Sequence, residues 1–204
     1  MKIIAGLEPN DMRVINVSLP DNPPLKIATT FSGGLDSTLI LYMLIKDKEE
    51  RNLNTEIHCF TATQCGTKIH SEKVLQLPEF SNKVIHHVNV DNPIQESVKP
   101  VTFHLLDTGW VVYGGSNQVP LEKIGGRYPD RPCQNPENLN NILPLLFLFK
   151  YHIVDAYYKL GIEHVMQVTH TCTEWEYGEC GKCYACLERE WAFRKLGRVL
   201  SKEG

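Results

Sequence analysis

Neither sign of charge dominates this 204-residue chain, in which 21 Lys and Arg stand against 24 Asp and Glu for a formal net charge of −3. A protein that grips nucleic acid mainly through its phosphates needs a basic surface, so small-molecule partners are expected and direct nucleic-acid binding is not. No apolar run reaches membrane-spanning length, and Met1-Lys-Ile-Ile-Ala-Gly passes straight into Leu-Glu-Pro-Asn without a signal-peptide pattern. Those two absences predict a cytoplasmic protein with no membrane partner. A Gly-Lys-Ser/Thr phosphate loop is also missing, which excludes a Walker-type nucleotide grip. Cysteine is present, but seven is an odd count, and four of the seven crowd into Cys172 to Cys186. That distribution suits a reduced compartment and a metal better than a disulfide framework. With 42% hydrophobic residues the chain can bury one good core.

The most informative stretch is Ser32-Gly33-Gly34-Leu35-Asp36-Ser37-Thr38. The apolar, β-branched run Leu25 to Phe31 before it reads as a buried strand, and Thr38 to Lys46 after it as a helix. Paired glycines let the backbone come close to a ligand. Ser32, Asp36 and Ser37 add side-chain oxygens for the first helix amides or a metal, and the helix N-terminus favours phosphate. A plain capped turn uses the same residue types. The full string directly after a strand, however, resembles the pyrophosphate loop of the ATP pyrophosphatase superfamily, which implies a grip on the β and γ phosphates and attack at the α phosphate.

Before this loop, Lys2 to Ala5 and Arg13 to Leu19 read as two strands of a hairpin appendage ending at Asp21-Asn-Pro-Pro24. After it, Glu56 to Ala62 is a second buried strand, giving a βαβ order with parallel strands and a right-handed crossover. Ligands of such sheets bind beyond the carboxyl ends of the strands, which places Gln64 to Glu72 beside the loop. A helical piece near Ser71 to Leu77 leads to a strand over Lys83 to Val90. There His86 and His87 face opposite sides of the sheet, so a structural role is expected for both. Trp110 to Tyr113 is a fourth strand, followed by the cleft loop Gly114 to Asn117. A long polar excursion over Gly125 to Pro136 then precedes a helical segment expected from Asn138 to Phe149, broken at Pro144. The helix Tyr151 to Leu160 should be capped by Gly161. The expected organisation is an appendage at residues 1–24, an α/β nucleotide-binding domain at 25–168, and a cysteine module with a C-terminal helix at 169–204.

Cys172, Cys180, Cys183 and Cys186 offer four soft ligands in a span short enough to close on one tetrahedral ion. Zinc is the first choice and an iron–sulfur cluster the rival, since two C-x2-C steps also occur in ferredoxins. A site closed by four sulfurs has a structural role. Cys59 reads as core, while Cys65 and Cys133 fall in predicted cleft loops.

A pyrophosphate loop near the start with a four-cysteine site near the end resembles the 7-cyano-7-deazaguanine synthase family. The likeness extends through Thr169-His-Thr-Cys172, Cys180-Gly-Lys-Cys183-Tyr-Ala-Cys186, Arg189, Phe193, Gly197, the Pro144 and Lys150 pair, Tyr128-Pro129-Asp130, Gly115 with Asn117, and Gly66 with Glu72. The chain departs from the family in lacking an Arg-Asn segment between its third and fourth strands. It also carries Gly66-Thr-Lys-Ile in place of Gly-Gln-Arg-His, no aspartate after Asn117, and Arg131-Pro-Cys133 after the Tyr-Pro-Asp segment.

The resemblance implies an α/β fold with a mainly parallel sheet and helices on both faces, like the adenine nucleotide alpha hydrolases, plus a zinc-binding C-terminal module. It implies Mg²⁺ and ATP as cofactors and a deazaguanine acid and ammonia as substrates, with a homodimer as one option for assembly. Ser32, Gly33, Gly34, Leu35, Asp36 and Ser37 would hold the nucleotide, with Asp36 at the magnesium. Lys150 would neutralise substrate or phosphate charge, and Asn117, Tyr128 and Asp130 would shape the substrate pocket. Two other readings are a related tRNA-thiolating enzyme using Cys65 or Cys133, and a nucleotide-binding homologue with altered catalysis.

Overall fold

The computed structural model describes residues 1–62, 67–89, 111–112, 116, 119–125 and 141–199. The chain opens with an antiparallel hairpin, β1 (Lys2–Ala5) against β2 (Arg13–Asn16), with Lys2 opposite Asn16. Five further strands, β3 (Lys26–Thr30), β4 (Glu56–Ala62), β5 (Ile85–Asn89), β6 (Val111–Val112) and β7 (Asn141–Ile142), form one sheet in the order β5-β4-β3-β6-β7. Every neighbouring pair in it is parallel. Six helices accompany them among the described residues: α1 (Leu35–Glu50), α2 (Thr67–Leu75), α3 (Leu121–Ile124), α4 (Lys150–Lys159), α5 (Glu163–Val168) and α6 (Tyr184–Lys195). None of these is long and apolar enough to cross a membrane.

The strand order explains where a ligand can bind. The chain steps outward from β3 through β4 to β5, then returns to the opposite side of β3 to lay down β6 and β7. The connections leaving β3 and β6 therefore run to opposite sides, to β4 and to β7, opening a crevice at the carboxyl ends of β3 and β6. In β3, the consecutive residues Ile27, Ala28 and Thr29 are all fully buried. Side chains alternate along a strand, so both faces of the sheet must be covered there.

Helix α1 lies at the centre of the core. Leu35, Leu39, Ile40, Leu41, Met43 and Leu44 are fully buried and point around its whole circumference, which marks an interior helix and not an amphipathic surface one. It ends where Asn52 takes a left-handed conformation at φ 49°, with the Leu53 amide bonded back to the Lys48 carbonyl and the Asn52 amide to that of Glu49. Gly161, at φ 67°, closes α4 in the same way, as the sequence predicts. Hairpin residues Ala5, Ile15, Val17 and Leu19 join the same hydrophobic cluster as the sheet and α1.

One element differs from the expectation. The segment from Asn138 to Phe149 is not helical where it is described: Asn141–Ile142 pairs with β6 as the fifth strand, and the chain turns at Pro144 before α4 begins at Lys150. A two-residue strand carries no periodicity, so its pairing partner decides its conformation. Leu44→Ala is expected to cost about 2–5 kcal/mol through the cavity left in α1's fully buried face. Urea unfolding measures this, and a loss under about 1 kcal/mol would contradict the central place of α1.

Candidate functional site

The loop after β3 is built largely from its own hydrogen bonds. The Ser32 amide donates to Ser37 Oγ at 3.2 Å, the Gly34 amide to Ser32 Oγ at 3.3 Å, and Ser37 Oγ donates to the Gly34 carbonyl at 3.3 Å. These bonds draw the chain around an open N-terminus of α1. Gly34, in extended conformation, is the N-cap and supplies no side-chain cap. The first-turn amides of α1 are thus left to a ligand's oxygens, with the helix dipole favouring an anion.

Gly33 sits at φ 73°, and a Cβ placed on it would lie 2.7 Å from the backbone of His70 and Ser71 in α2. Its missing side chain therefore serves packing within the protein. Gly34 has more room: a methyl added there would meet its nearest neighbours, the His170 carbonyl and Ser32 Oγ, at 3.2 Å. The His170 amide donates to the Gly33 carbonyl at 3.0 Å. The loop is thereby gripped from one side by α2 and from the other by the segment leading to Cys172, and the expectation that residues just after β4 lie beside it holds for His70 and Ser71.

Asp36, in the first turn of α1, is the point where charges converge. Lys150 Nζ lies 2.5 Å from Asp36 Oδ1, and Ser116 Oγ donates to Oδ2 at 3.1 Å. Ser116 follows β6, so these contacts join both strands that border the crevice. Lys150 is buried at 5% exposure and also lies 3.5 Å from Glu188 Oε2 on α6. Its position is fixed by the start of α4, where the Phe149 amide donates to His152 Nδ1 at 3.1 Å. That bond leaves Nε2 of His152 as the protonated nitrogen, and it donates to the Asp11 carbonyl at 3.0 Å. Tyr157, fully buried on the same helix, donates to the Leu35 carbonyl at 2.8 Å and ties α4 to the loop end of α1. Position 150 thus holds a buried lysine and not a solvated surface one.

Asn117, Tyr128 and Asp130, expected to shape a substrate pocket, lie outside the described residues, as do Cys65 and Cys133 and the short segment from Asn92 to Gly109. His86 donates to or accepts from Thr61 Oγ1 at 2.8 Å, while His87 stacks on Phe60 at 4.5 Å between ring centroids. The two rings thus point to opposite faces of the sheet and do not converge on one ligand. Burial pushes the Cys59 thiol up to about 12, which fits an inert core residue.

The other four expected cysteines come together. The Sγ atoms of Cys172, Cys180, Cys183 and Cys186 all lie within 4.8 Å of one another, with Cys180 to Cys186 and Cys172 to Cys183 each at 3.9 Å. Sulfurs about 2.3 Å from one tetrahedral ion stand about 3.8 Å apart, so this set is close to the spacing of a single ion. A multi-iron cluster interposes iron and sulfide and holds its cysteines further apart. Backbone amides already point at the sulfurs: Cys183 N–H at Cys180 Sγ (3.3 Å) and Trp175 N–H at Cys172 Sγ (3.2 Å). Amide donors from Lys182 and Cys183 bring the Cys180 thiol down to about 7, whereas burial raises those of Cys172 and Cys186.

Sequence reading singled out Arg189 only by its interval after Cys186. It is a clamp: its guanidinium donates to the Met166 carbonyl at 2.7 Å, the Thr169 carbonyl at 3.0 Å and Thr171 Oγ1 at 3.0 Å, fastening α6 to the segment between α5 and Cys172. Sequence reading placed Ser116 and His70 only within stretches beside the cleft and His170 only within the matched segment before Cys172; the stacking of the two rings, 3.7 Å apart, and Glu188 escaped it because each acts on residues distant in the chain.

Gly33→Ala is expected to destabilise the protein by about 1–3 kcal/mol, since it combines a left-handed φ with a clash against α2 backbone. An unchanged unfolding temperature would overturn that packing role. Purified protein is expected to carry about one metal ion per chain. Cys183→Ser should remove it and lower the unfolding temperature by about 5 °C or more, because several kcal/mol of metal binding is folding energy for the tail. Elemental analysis with thermal unfolding checks both halves.

Comparison with known proteins fits this geometry. A family model described as "Queuosine biosynthesis protein QueC" matches residues 132–197, a span that holds Lys150 and all four clustered cysteines but not the loop after β3. A protein named 7-cyano-7-deazaguanine synthase from Campylobacter jejuni subsp. doylei is 24% identical over 214 residues, covering 84% of this chain and 95% of that one. One of the same name from Pseudoalteromonas atlantica is 25% identical over 209 residues, covering 83% and 94%. Among solved structures, an NMN synthetase from Francisella tularensis aligns with a TM-score of 0.46 and 14% identity over 88% of this chain and 80% of that one. Over most of its length, and with its cysteine cluster inside the matched tail, this chain resembles the 7-cyano-7-deazaguanine synthases.

Proposed function

We propose that this protein is an ATP-dependent carbon–nitrogen ligase that converts 7-carboxy-7-deazaguanine and ammonia into the nitrile 7-cyano-7-deazaguanine. The observation that carries the reading is the meeting of Asp36 and the buried Lys150 at the open N-terminus of α1, in the crevice between β3 and β6. That arrangement offers what an adenylating enzyme needs at one point: amides for phosphate oxygens, a carboxylate for a divalent ion, and a fixed cation for developing negative charge.

Making a nitrile from a carboxylate removes both oxygens, each a poor leaving group. Attack of the acid on the α phosphate of ATP forms an acyl adenylate and releases pyrophosphate; ammonia then displaces AMP to give the amide. A second adenylation, on the amide oxygen, lets the remaining oxygen leave with AMP as the nitrile forms. In this scheme Ser32, Gly33, Gly34, Leu35 and Ser37 hold the departing phosphates and Asp36 contacts the magnesium that accompanies them. Lys150 stabilises charge on the α phosphate or the substrate carboxylate, and Asn117, Tyr128 and Asp130 are assigned to the deazaguanine. We assign zinc to the four cysteines as a closed structural site, because the sulfur spacing suits one ion and leaves no coordination position for substrate.

Wild-type protein should release AMP in the presence of ATP, magnesium, ammonia and the deazaguanine acid, and Asp36→Asn should cut that release by about 10²-fold or more while leaving the fold intact. Failure of the wild type to release AMP with the acid under any ammonia supply sinks the substrate assignment. Turnover within a few-fold in Asp36→Asn sinks the role of that carboxylate.

A further inference from the structure

The buried cation of the site has more than one carboxylate. Lys150 lies 2.5 Å from Asp36 and 3.5 Å from Glu188, and the side chains of Lys150 and Glu188 are only 6% and 7% exposed. Neither the loop pattern nor the cysteine pattern points to Glu188. It stands on α6, two residues after the ligand Cys186, and faces inward toward α4 and α3. Its orientation is set by Tyr184 one turn earlier, whose hydroxyl accepts the Val119 amide at 2.7 Å and has the Val119 carbonyl (3.1 Å) and Glu188 Oε1 (3.3 Å) as its alternative acceptors. With Oε1 turned to Tyr184, Oε2 is the oxygen turned to Lys150.

This second carboxylate acquires a purpose once a metal is considered, and in this respect the inference rests on the assignment of the loop to Mg-ATP. Magnesium binds carboxylate oxygen at about 2.0–2.1 Å and takes over the charge of the group it binds. Asp36 cannot serve magnesium and at the same time neutralise an ammonium now facing a divalent cation. A lysine buried without an anion is costly, and a lysine displaced from the crevice no longer meets the phosphates. Glu188, out of water and already turned to the lysine, stays with it when Asp36 turns to the metal.

We propose that Glu188 is a positioning residue of the nucleotide site: it is a counter-ion that keeps Lys150 aimed at the phosphate loop while Asp36 binds magnesium. Because Glu188 belongs to the helix that opens at Cys183, the cysteine module supplies a working part of the nucleotide site along with its own fold.

Binding of a non-hydrolysable ATP analogue, titrated by calorimetry across a magnesium series, tests this without any turnover. Glu188→Gln keeps the size and the Tyr184 contact and removes only the charge. It is expected to raise the magnesium concentration for half-maximal nucleotide binding by about tenfold or more, the scale of losing one partner from a buried charge pair. In a Lys150→Met background the same change should no longer weaken magnesium dependence, because the cation it serves is gone. Glu188→Asp, which keeps the charge, should remain near wild type and stands in if Glu188→Gln does not fold; a tenfold loss in Glu188→Asp overturns the proposal. So does an unshifted Glu188→Gln, or an equal shift with and without Lys150, either of which reduces Glu188 to a packing residue. Wild-type protein that binds no magnesium nucleotide overturns the loop assignment and this role together, whereas wild-type binding without AMP release removes only the proposed substrate.

Discussion

A lysine ammonium nearly out of water must be met by anions, and this requirement governs how the parts of the molecule come together. Lys150 is the first residue of α4, Asp36 belongs to the first turn of α1, and Glu188 lies in α6. No two of these helices are neighbours in sequence. For the charge to be satisfied, α4 must start within a few ångströms of the loop after β3, and α6 must lie against α4 in one rotational setting. A buried ion cluster of this sort adds little net stability over apolar packing, since the desolvation of each group opposes the attraction between them. What it contributes is geometry: packing alone would accept α6 in several settings, and the charge cluster accepts one.

The mechanical support behind that cluster runs through the tail. Cys172 is the last residue of a short segment whose preceding members do separate tasks: Thr169 receives Arg189 from α6, and His170 hands its amide to the carbonyl of Gly33. A metal ion bound by Cys172 together with Cys183 and Cys186 would therefore fix both ends of a loop that touches the turn after β3. The small hydrophobic cluster around the cysteines is separate from the main core, so the attachment of the module depends on these polar links and the faces of α6. The site and the metal centre are distinct chemically but share a backbone.

Much of this was legible in the sequence where local chemistry decides the outcome. The string Ser32 to Ser37 gives a turn and an exposed helix end whatever surrounds it, and the cysteine spacing closes on an ion by short-range geometry. Strand β4 and the capping of α4 at Gly161 follow from periodicity and from glycine's left-handed conformation. The rest depended on contacts between distant parts of the chain. The pairing of Asn141–Ile142 with β6 needs a neighbour that sequence does not announce, and a helical expectation was the natural one for residues around Pro144. Glu188 reads as one more charged residue on a charge-rich helix. Lys150 stands out in the sequence only through its spacing from Pro144, and its burial beside Asp36 and Glu188 is visible only in the structure.

The stacked imidazoles of His70 and His170 impose a dimension on the seven-residue spacer between the first two cysteines. His70 Nε2 bonds the Glu176 carbonyl at 2.7 Å and His170 Nε2 bonds that of Trp175 at 3.0 Å, so the middle of the spacer is held by a ring pair beside the turn after β3 while its ends carry the cysteine sulfurs. The spacer works as a gauge bar between two fittings. Side chains along it, such as the exposed Trp175 and Tyr177, are free to vary, but adding or deleting one residue would force a choice between seating the fourth sulfur and keeping the rings in register.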